Sequence, residues 1–196
     1  MSSKRKPAAR AVETEAKIRV SSFAPVKRKL KGAGGRLLSP RTLETNTLFD
    51  SPGGTLRSAG QSFRVRRYGA SGSVTLKGLA RVEGGLKSRT ELETEVTSPE
   101  TLAEILATLG FRPQFHYEKY REVWSFERTV ICLDETPLGR FLEIEGVAAD
   151  IHRVAGLLGI AAERFVSASY PALWFEAGRG GHMVFPPRPG GARKRA

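Results

Sequence analysis

The chain of 196 residues is 40 % hydrophobic and 27 % charged, a balance that suits one folded domain with a buried core. No apolar run approaches the roughly 18–20 residues that cross a bilayer, Met1–Arg10 lacks the apolar stretch of a secretory signal, and the lone Cys132 excludes an intrachain disulfide, so a cytoplasmic location is expected. Of the formal net charge of +12, eight units sit in two acid-free ends: Lys4, Arg5, Lys6 and Arg10, then Arg188, Arg193, Lys194 and Arg195.

The ends are expected to be basic tails, at 1–10 and 178–196, around a domain at 11–177. Their charged parts carry no aromatic residue for base stacking, so nucleic acid is not the expected partner and solubility is the simpler role.

From the N-terminus, a strand is expected at 11–21, then a short helix from Phe23 to near Gly32 with Pro25 in its first turn. Strands follow at 36–49, 61–69, 72–79 and 86–97, separated by Ser51-Pro52-Gly53-Gly54, by Gly69 to Gly72 and by Gly84-Gly85. Ser98-Pro99-Glu100 starts a helix, carried on by Leu102, Ile105, Leu106 and Leu109 and stopped by Gly110. Further strands are expected at 115–127, 128–135 and 140–147; Thr136-Pro137-Leu138-Gly139 turns the last pair, whereas no turn signal marks 127/128. Asp150 is the expected N-cap of a helix bearing Ile151, Val154, Leu157 and Leu158, and Tyr170 to Ala177 forms a closing helix. Order is expected to fade beyond Gly178.

Side chains alternate faces along a strand. Glu13, Glu15, Lys17 and Arg19 alternate with Val12, Ala16, Ile18 and Val20, with Thr14 as the mild exception. The same two-faced pattern recurs at Arg64 and Arg66, at Thr75 and Lys77, at Lys87, Arg89, Glu91, Glu93 and Glu95, at Lys119 and Arg121, and at Glu143 and Glu145. One such strand is an ordinary half-wet strand. Six of them, with helices to cover the apolar faces, imply a mainly β (α+β) fold: an eight-stranded antiparallel closed barrel, ionic inside, with helices packed outside.

These segments resemble the CYTH family, also called triphosphate tunnel metalloenzymes, which includes class IV adenylyl cyclases, thiamine triphosphatases and inorganic triphosphatases. The likeness runs over about residues 11–176. It rests on Glu13-x-Glu15-x-Lys17, Asn46-Thr47-Leu48-Phe49-Asp50, Phe63-Arg64-Val65-Arg66 and Thr75-Leu76-Lys77-Gly78. Arg89-x-Glu91-x-Glu93, Lys119-x-Arg121, Leu133-Asp134 leading to Gly139-Arg140-Phe141-Leu142-Glu143-Ile144-Glu145, and Ser169-Tyr170 continue it in order. The chain differs where Asn46 replaces a usual acid, Leu48 a tyrosine and Trp174 a leucine.

The resemblance implies a tunnel that holds a triphosphate-bearing small molecule and a divalent metal. Lys17, Arg64, Arg66, Lys77, Arg89, Lys119 and Arg121 are then the substrate-binding cations, since guanidinium forks and ammonium groups neutralise phosphate. Glu13, Glu15, Asp134, Glu143 and Glu145 are the implied metal ligands, with Glu91 and Glu93 as additional tunnel acids. Oxygen donors of this kind suit Mg²⁺ or Mn²⁺.

The expected activity is hydrolysis of inorganic triphosphate or of a nucleoside or thiamine triphosphate. Alternatives are class IV adenylyl cyclase chemistry and a noncatalytic polyphosphate- or nucleotide-binding module. No general base is assigned, and the oligomeric state, a homodimer included, is left open. His116, His152 and His182 lack ligand spacing, and Cys132, between Ile131 and Leu133, reads as a core thiol. Lys27, Arg28, Lys29 and Lys31 form a solvated helix face, and Gly32, Gly34 and Gly35 a flexible turn.

Overall fold

A computed structural model describes residues 11–187, so the charged ends, 1–10 and 188–196, lie outside the described residues. Among the described residues nine strands form one sheet: β1 (Ala11–Val20), β2 (Arg36–Asp50), β3 (Ser62–Tyr68), β4 (Ser71–Lys77), β5 (Arg81–Glu83), β6 (Leu86–Val96), β7 (Arg112–Phe126), β8 (Thr129–Thr136) and β9 (Gly139–Glu145). The order runs β1-β9-β8-β7-β2-β3-β4-β6, and β6 pairs back onto β1, which closes an eight-stranded barrel. Every pairing is antiparallel. The expected eight strands are present, and β5 is the addition. It continues β4 past Gly78, Leu79 and Ala80 and pairs with the start of β6.

Among the described residues five α-helices lie outside the barrel: α1 (Ala24–Gly32), α2 (Thr55–Ser58), α3 (Pro99–Thr108), α4 (Ala148–Leu158) and α5 (Tyr170–Glu176). They cover the apolar strand faces, as the alternation requires. Ala16, Ile18, Ile131, Leu133, Leu142 and Ile144 form one buried cluster with Leu30 of α1 and with Ile151 and Val154 of α4. Each fully buried aliphatic side chain contributes about 1.5–3 kcal/mol, so this layer is the main source of stability. Leu106 of α3 packs on Phe49 and Val65. A Cβ at Gly72 would stand 2.3 Å from Pro99 Cγ, so that glycine is what lets α3 begin this close to β4.

Four expectations are corrected. Asp150 is not the N-cap of α4: Val147 holds that position, and buried Asp150 sits in the first turn, bound by Arg128 and Arg153. The unsignalled turn between β7 and β8 is a two-residue hairpin with Glu127 at φ 52°, a left-handed conformation more often taken by glycine or asparagine, which is why composition did not mark it. Arg19 does not join the ionic interior; it is exposed at the rim, over the Phe141 ring. Order also persists past Gly178 to Pro187. Met183 exchanges backbone hydrogen bonds with His116 and Glu118 of β7 and is fully buried beside Tyr117, Tyr170 and Trp174.

Asp50, at the end of the Phe49-Asp50 motif, caps α2. Its carboxylate accepts from the backbone N–H groups of Ser51 (2.7 Å), Leu56 (2.9 Å) and Arg57 (2.9 Å). Burial pushes its pKa up, but these donors outweigh burial and hold it below the usual value. Asp50→Ala is expected to lower stability by about 1–2 kcal/mol in urea titration. Because the folded pKa is the lower one, the wild-type advantage is present above the ordinary aspartate range and fades as pH falls through it. An unchanged midpoint at pH 7 would contradict this role.

Candidate active site

The strand register places the ions. Lys17 lies opposite Glu143, Glu15 opposite Lys87, Lys77 opposite Glu91, Lys119 opposite Glu44 and Arg121 opposite Asp134. Each of these cross-strand neighbours is also an ion pair inside the barrel. Buried charge is tolerable only when paired, and the register pairs it.

The deepest pairs converge on Asp134, which is fully buried. Arg121 grips it with two bonds of 2.7 Å, Lys119 donates from 2.9 Å and the Tyr170 hydroxyl from 2.7 Å. Arg121 also binds Glu143, whose other oxygen is 3.2 Å from Lys17. Asp134 and Glu143 are thus occupied by cations. Burial raises the Tyr170 pKa, and the Asp134 and Glu143 carboxylates add to it, so the hydroxyl stays protonated and donates.

Glu13, Glu15 and Glu145 are arranged differently. One oxygen from each lies within 4.8 Å of the others. Glu15 and Glu145 are directly opposite in the β1–β9 register, a placement that is unfavourable for like charges. Burial, then Glu13, Glu143 and Glu15, push the Glu145 pKa up to about 8 against the opposing pull of Arg121. Glu13 is raised too, by burial and by a hydrogen bond with Glu91, although Lys77 opposes this. Glu15 goes the other way, because Lys17 and Lys87 outweigh burial and Glu143. Three crowded carboxylate oxygens that retain a proton near neutrality fit a hard divalent cation, which would relieve their repulsion.

Two adjoining cavities of about 840 and 420 Å³ are lined by inward-facing residues of the barrel. Glu13, Arg64, Arg66, Lys77, Arg121 and Glu145 line both. Arg64 Nε and Arg66 Nε are buried without a hydrogen-bond acceptor. Arg64 is otherwise held by Thr75 (3.2 Å), and Arg66 Nε stands 3.6 Å from Glu44, too far for a bond. Both guanidinium groups line the cavities, and each has only a long 3.6 Å ion pair, Arg64 with Glu93 and Arg66 with Glu44, so donor capacity remains for a ligand anion.

All seven expected cations and five expected metal acids lie on the barrel's inner face, and Arg89 lines the narrower cavity. Glu91 and Glu93 line the wider one, where Glu93 accepts from Thr75 at 2.5 Å. Sequence reasoning assigned no site role to three residues, although it read Lys87 into the ionic face and Tyr170 into the closing motif. Glu44 is fully buried between Lys119, Arg66 and Arg121, which hold its carboxyl below the usual range although burial opposes them. Lys87 pairs with Glu15, and Tyr170 with Asp134. The signal for Glu44 was its two-residue spacing from Asn46, whose amide donates to it from 3.0 Å. Cys132 is buried but faces inward, its thiol 3.9 Å from Glu145, because its parity matches Asp134 and not Ile131. The His116 backbone N–H donates to His182 Nδ1 at 3.2 Å. Trp174 donates to the Gly180 carbonyl at 3.1 Å, a bond the usual leucine cannot make.

A family model described as the CYTH domain matches residues 11–165. Over 142 residues the chain is 27 % identical to a Methanocaldococcus jannaschii protein provisionally named an adenylate cyclase, covering 72 % of this chain and 80 % of that one. A Vibrio parahaemolyticus structure with the same provisional name aligns with a TM-score of 0.73 at 19 % identity, over 83 % of this chain and 97 % of that one. A Hippeastrum protein, provisionally an adenylyl cyclase and described as having a dominant triphosphatase activity, aligns with a TM-score of 0.64 at 23 % identity, over 85 % and 96 % of the two chains. At such identities the two structural likenesses carry the barrel fold. Among the described residues, no helix is long and apolar enough to cross a membrane.

The raised Glu145 and Glu13 groups set a sign for cation binding. Below about pH 8 the cluster holds a proton that a cation must displace. Mg²⁺ affinity, measured calorimetrically, is expected to rise by up to about tenfold per pH unit from pH 6 to 8 and then to level off. A pH-independent affinity would contradict this placement.

Proposed function

The chain belongs to the CYTH domain family, and from that membership and its site we propose that it is a divalent-metal-dependent phosphohydrolase of triphosphate compounds. The observation that carries the reading is the pair of acceptor-less guanidinium donors, Arg64 Nε and Arg66 Nε, beside the carboxylate trio. Donors of one kind and ligands of the other are what a metal-bound polyphosphate needs together.

In this reading Arg64 and Arg66 bind phosphoryl oxygens, and Lys77 and Arg89 add charge from β4 and β6. Lys17, Lys119 and Arg121 form a rigid cationic wall, since Asp134, Glu44 and Glu143 fix their positions. Such preorganised charge stabilises the developing oxyanion without reorganisation. Glu13, Glu15 and Glu145 hold the divalent cation, Mg²⁺ or Mn²⁺. When bound, that cation polarises a phosphoryl group as a Lewis acid. Water attacks the terminal phosphorus, the bridging P–O bond breaks, and orthophosphate leaves with the shortened phosphate chain and one proton.

A second reading is favoured by the name of the Methanocaldococcus relative. With ATP bound, attack by the ribose 3′-hydroxyl on the α-phosphorus would release cyclic AMP and pyrophosphate from the same grip.

Incubation with inorganic triphosphate, ATP and thiamine triphosphate, with Mg²⁺ or Mn²⁺, separates the two. Orthophosphate as the first product is expected; cyclic AMP with pyrophosphate would replace hydrolysis by cyclisation. Glu15→Gln is expected to lower metal-dependent kcat at least a hundredfold with the fold retained by circular dichroism, and a wild-type rate would remove Glu15 from the site. Arg66→Ala is expected to raise KM at least tenfold, and an unchanged KM would show that its guanidinium does not reach substrate.

A further inference from the structure

Strand register sets the ions of the site, but Tyr170, which donates to Asp134, stands on a helix. That helix, α5, has seven residues and buries only Tyr170 and Trp174, too little to fix its own position. Yet Tyr170 is a junction. Its hydroxyl is 2.7 Å from Asp134, and the Lys17 and Lys119 ammonium groups lie 4.4 and 5.1 Å from the centre of its ring. A shift of this ring would disturb both lysines and the carboxylate that Arg121 grips.

The segment after α5 ties the helix down. β7 pairs with β8 only from Tyr120 onward, so β8 leaves the edge of β7 at 116–118, opposite β2, to another partner. Met183 takes that place. Its N–H donates to the His116 carbonyl at 3.0 Å and its carbonyl accepts from the Glu118 N–H at 2.9 Å, a parallel bridge. The Phe185 N–H donates to the Glu118 carboxylate at 3.1 Å, and the Phe185 ring lies 5.3 Å from that of Tyr120. At its other end the segment accepts the Trp174 indole N–H at the Gly180 carbonyl. It is therefore a strap between α5 and β7. The fully buried Met183 side chain is the part that reaches inward, into one cluster with Tyr170, Trp174, Tyr117 and Phe141.

We propose that Met183 is a positioning residue for the cationic wall of the site: it holds Tyr170 on Asp134, and through that contact keeps Lys17, Lys119 and Arg121 in one arrangement. The fold does not depend on it in the same way. Barrel closure through β1 and β6, and the apolar layer beneath α1 and α4, involve no residue of the Met183 cluster. Loss of the Met183 side chain therefore loosens the wall and leaves the barrel closed. The effect on turnover rests on the triphosphate reading of the site; the contact itself does not.

The test compares Met183→Ala, Met183→Leu and Tyr170→Phe with the wild type in the full chain, with folding checked by thermal melting. A buried tyrosine hydroxyl bonded to a carboxylate exchanges slowly with water and gives a separate proton NMR line, assigned by its absence in Tyr170→Phe. The line is expected to vanish in Met183→Ala and to persist in Met183→Leu, which conserves volume. KM for inorganic triphosphate with Mg²⁺ is expected to rise at least fivefold in Met183→Ala, with kcat changed less, and to stay within twofold in Met183→Leu. In a Tyr170→Phe background Met183→Ala is expected to add less than twofold, because the contact it serves is already gone. If Met183→Ala fails to fold, Trp174→Phe, which removes only the bond to Gly180, is read by the same two measures. A line absent from the wild type, a line retained in folded Met183→Ala, or a KM effect that is unchanged in the Tyr170→Phe background overturns the role of Met183. A wild type that turns over no triphosphate overturns the triphosphate reading instead, and the NMR comparison still decides what Met183 holds.

Discussion

Pairing of β1 with β6 closes the sheet, and closure turns one face of every strand into an enclosed interior. On those faces the chain carries ions. Removed from bulk water, each must find a partner or change its protonation. The register answers most of that demand with cross-strand pairs, Lys17 with Glu143 and Arg121 with Asp134 among them. It leaves a remainder: Glu145, which faces Glu15 with Glu13 beside them although those two pair with Lys87 and Lys77, and two guanidinium Nε donors without acceptors. The unbalanced part of the interior is where a cation and an anion fit together.

The apolar exterior maintains this interior. Ile18, Ile144 and Leu142 lie on the opposite parity from Lys17, Glu143 and Glu145, and α1 and α4 seal them. A one-residue slip of β1 or β9 would bury charge under helices and empty the site, so fold stability and site geometry share one register. At the α5 end the link is direct. Tyr170 packs against Met183, Tyr117 and Phe141 and donates to Asp134, joining a helix outside the barrel to a fully buried carboxylate within it. Both α5 and the Met183 segment lie beyond residues 11–165, the span matched by the family model.

The barrel was legible because period-2 alternation of ions and apolar groups survives in six of the eight strands that line it, and the α3 cap was legible because Ser98 and Pro99 carry its chemistry locally. Features set by tertiary contact were not. Glu127 takes a left-handed turn because β7 and β8 must pair closely, and nothing in its own chemistry asks for it. Asp150 looked like a cap because its type suits one, but its partners are Arg128 and Arg153. The acids of the site all share one residue class, so sequence did not separate Asp134 and Glu143, gripped by two or more cations, from Glu13, Glu15 and Glu145, which crowd one another with single lysine partners at Glu13 and Glu15. That division depends on which strands are neighbours. Glu44 was hidden for the same reason: its strand lacks the strict charge alternation of β6, and only its pairing with β7 places it beside Lys119.

The central claim is that the interior holds a divalent cation at the carboxylate trio and phosphates at the β3 arginines. Anomalous scattering from crystals grown with Mn²⁺ and a nonhydrolysable triphosphate analogue tests it most directly. A manganese peak bounded by Glu13, Glu15 and Glu145, with phosphate oxygens at Arg64 Nε and Arg66 Nε, is the predicted result. Manganese at Asp134 and Glu143 instead, or an analogue bound outside the barrel, would contradict the account.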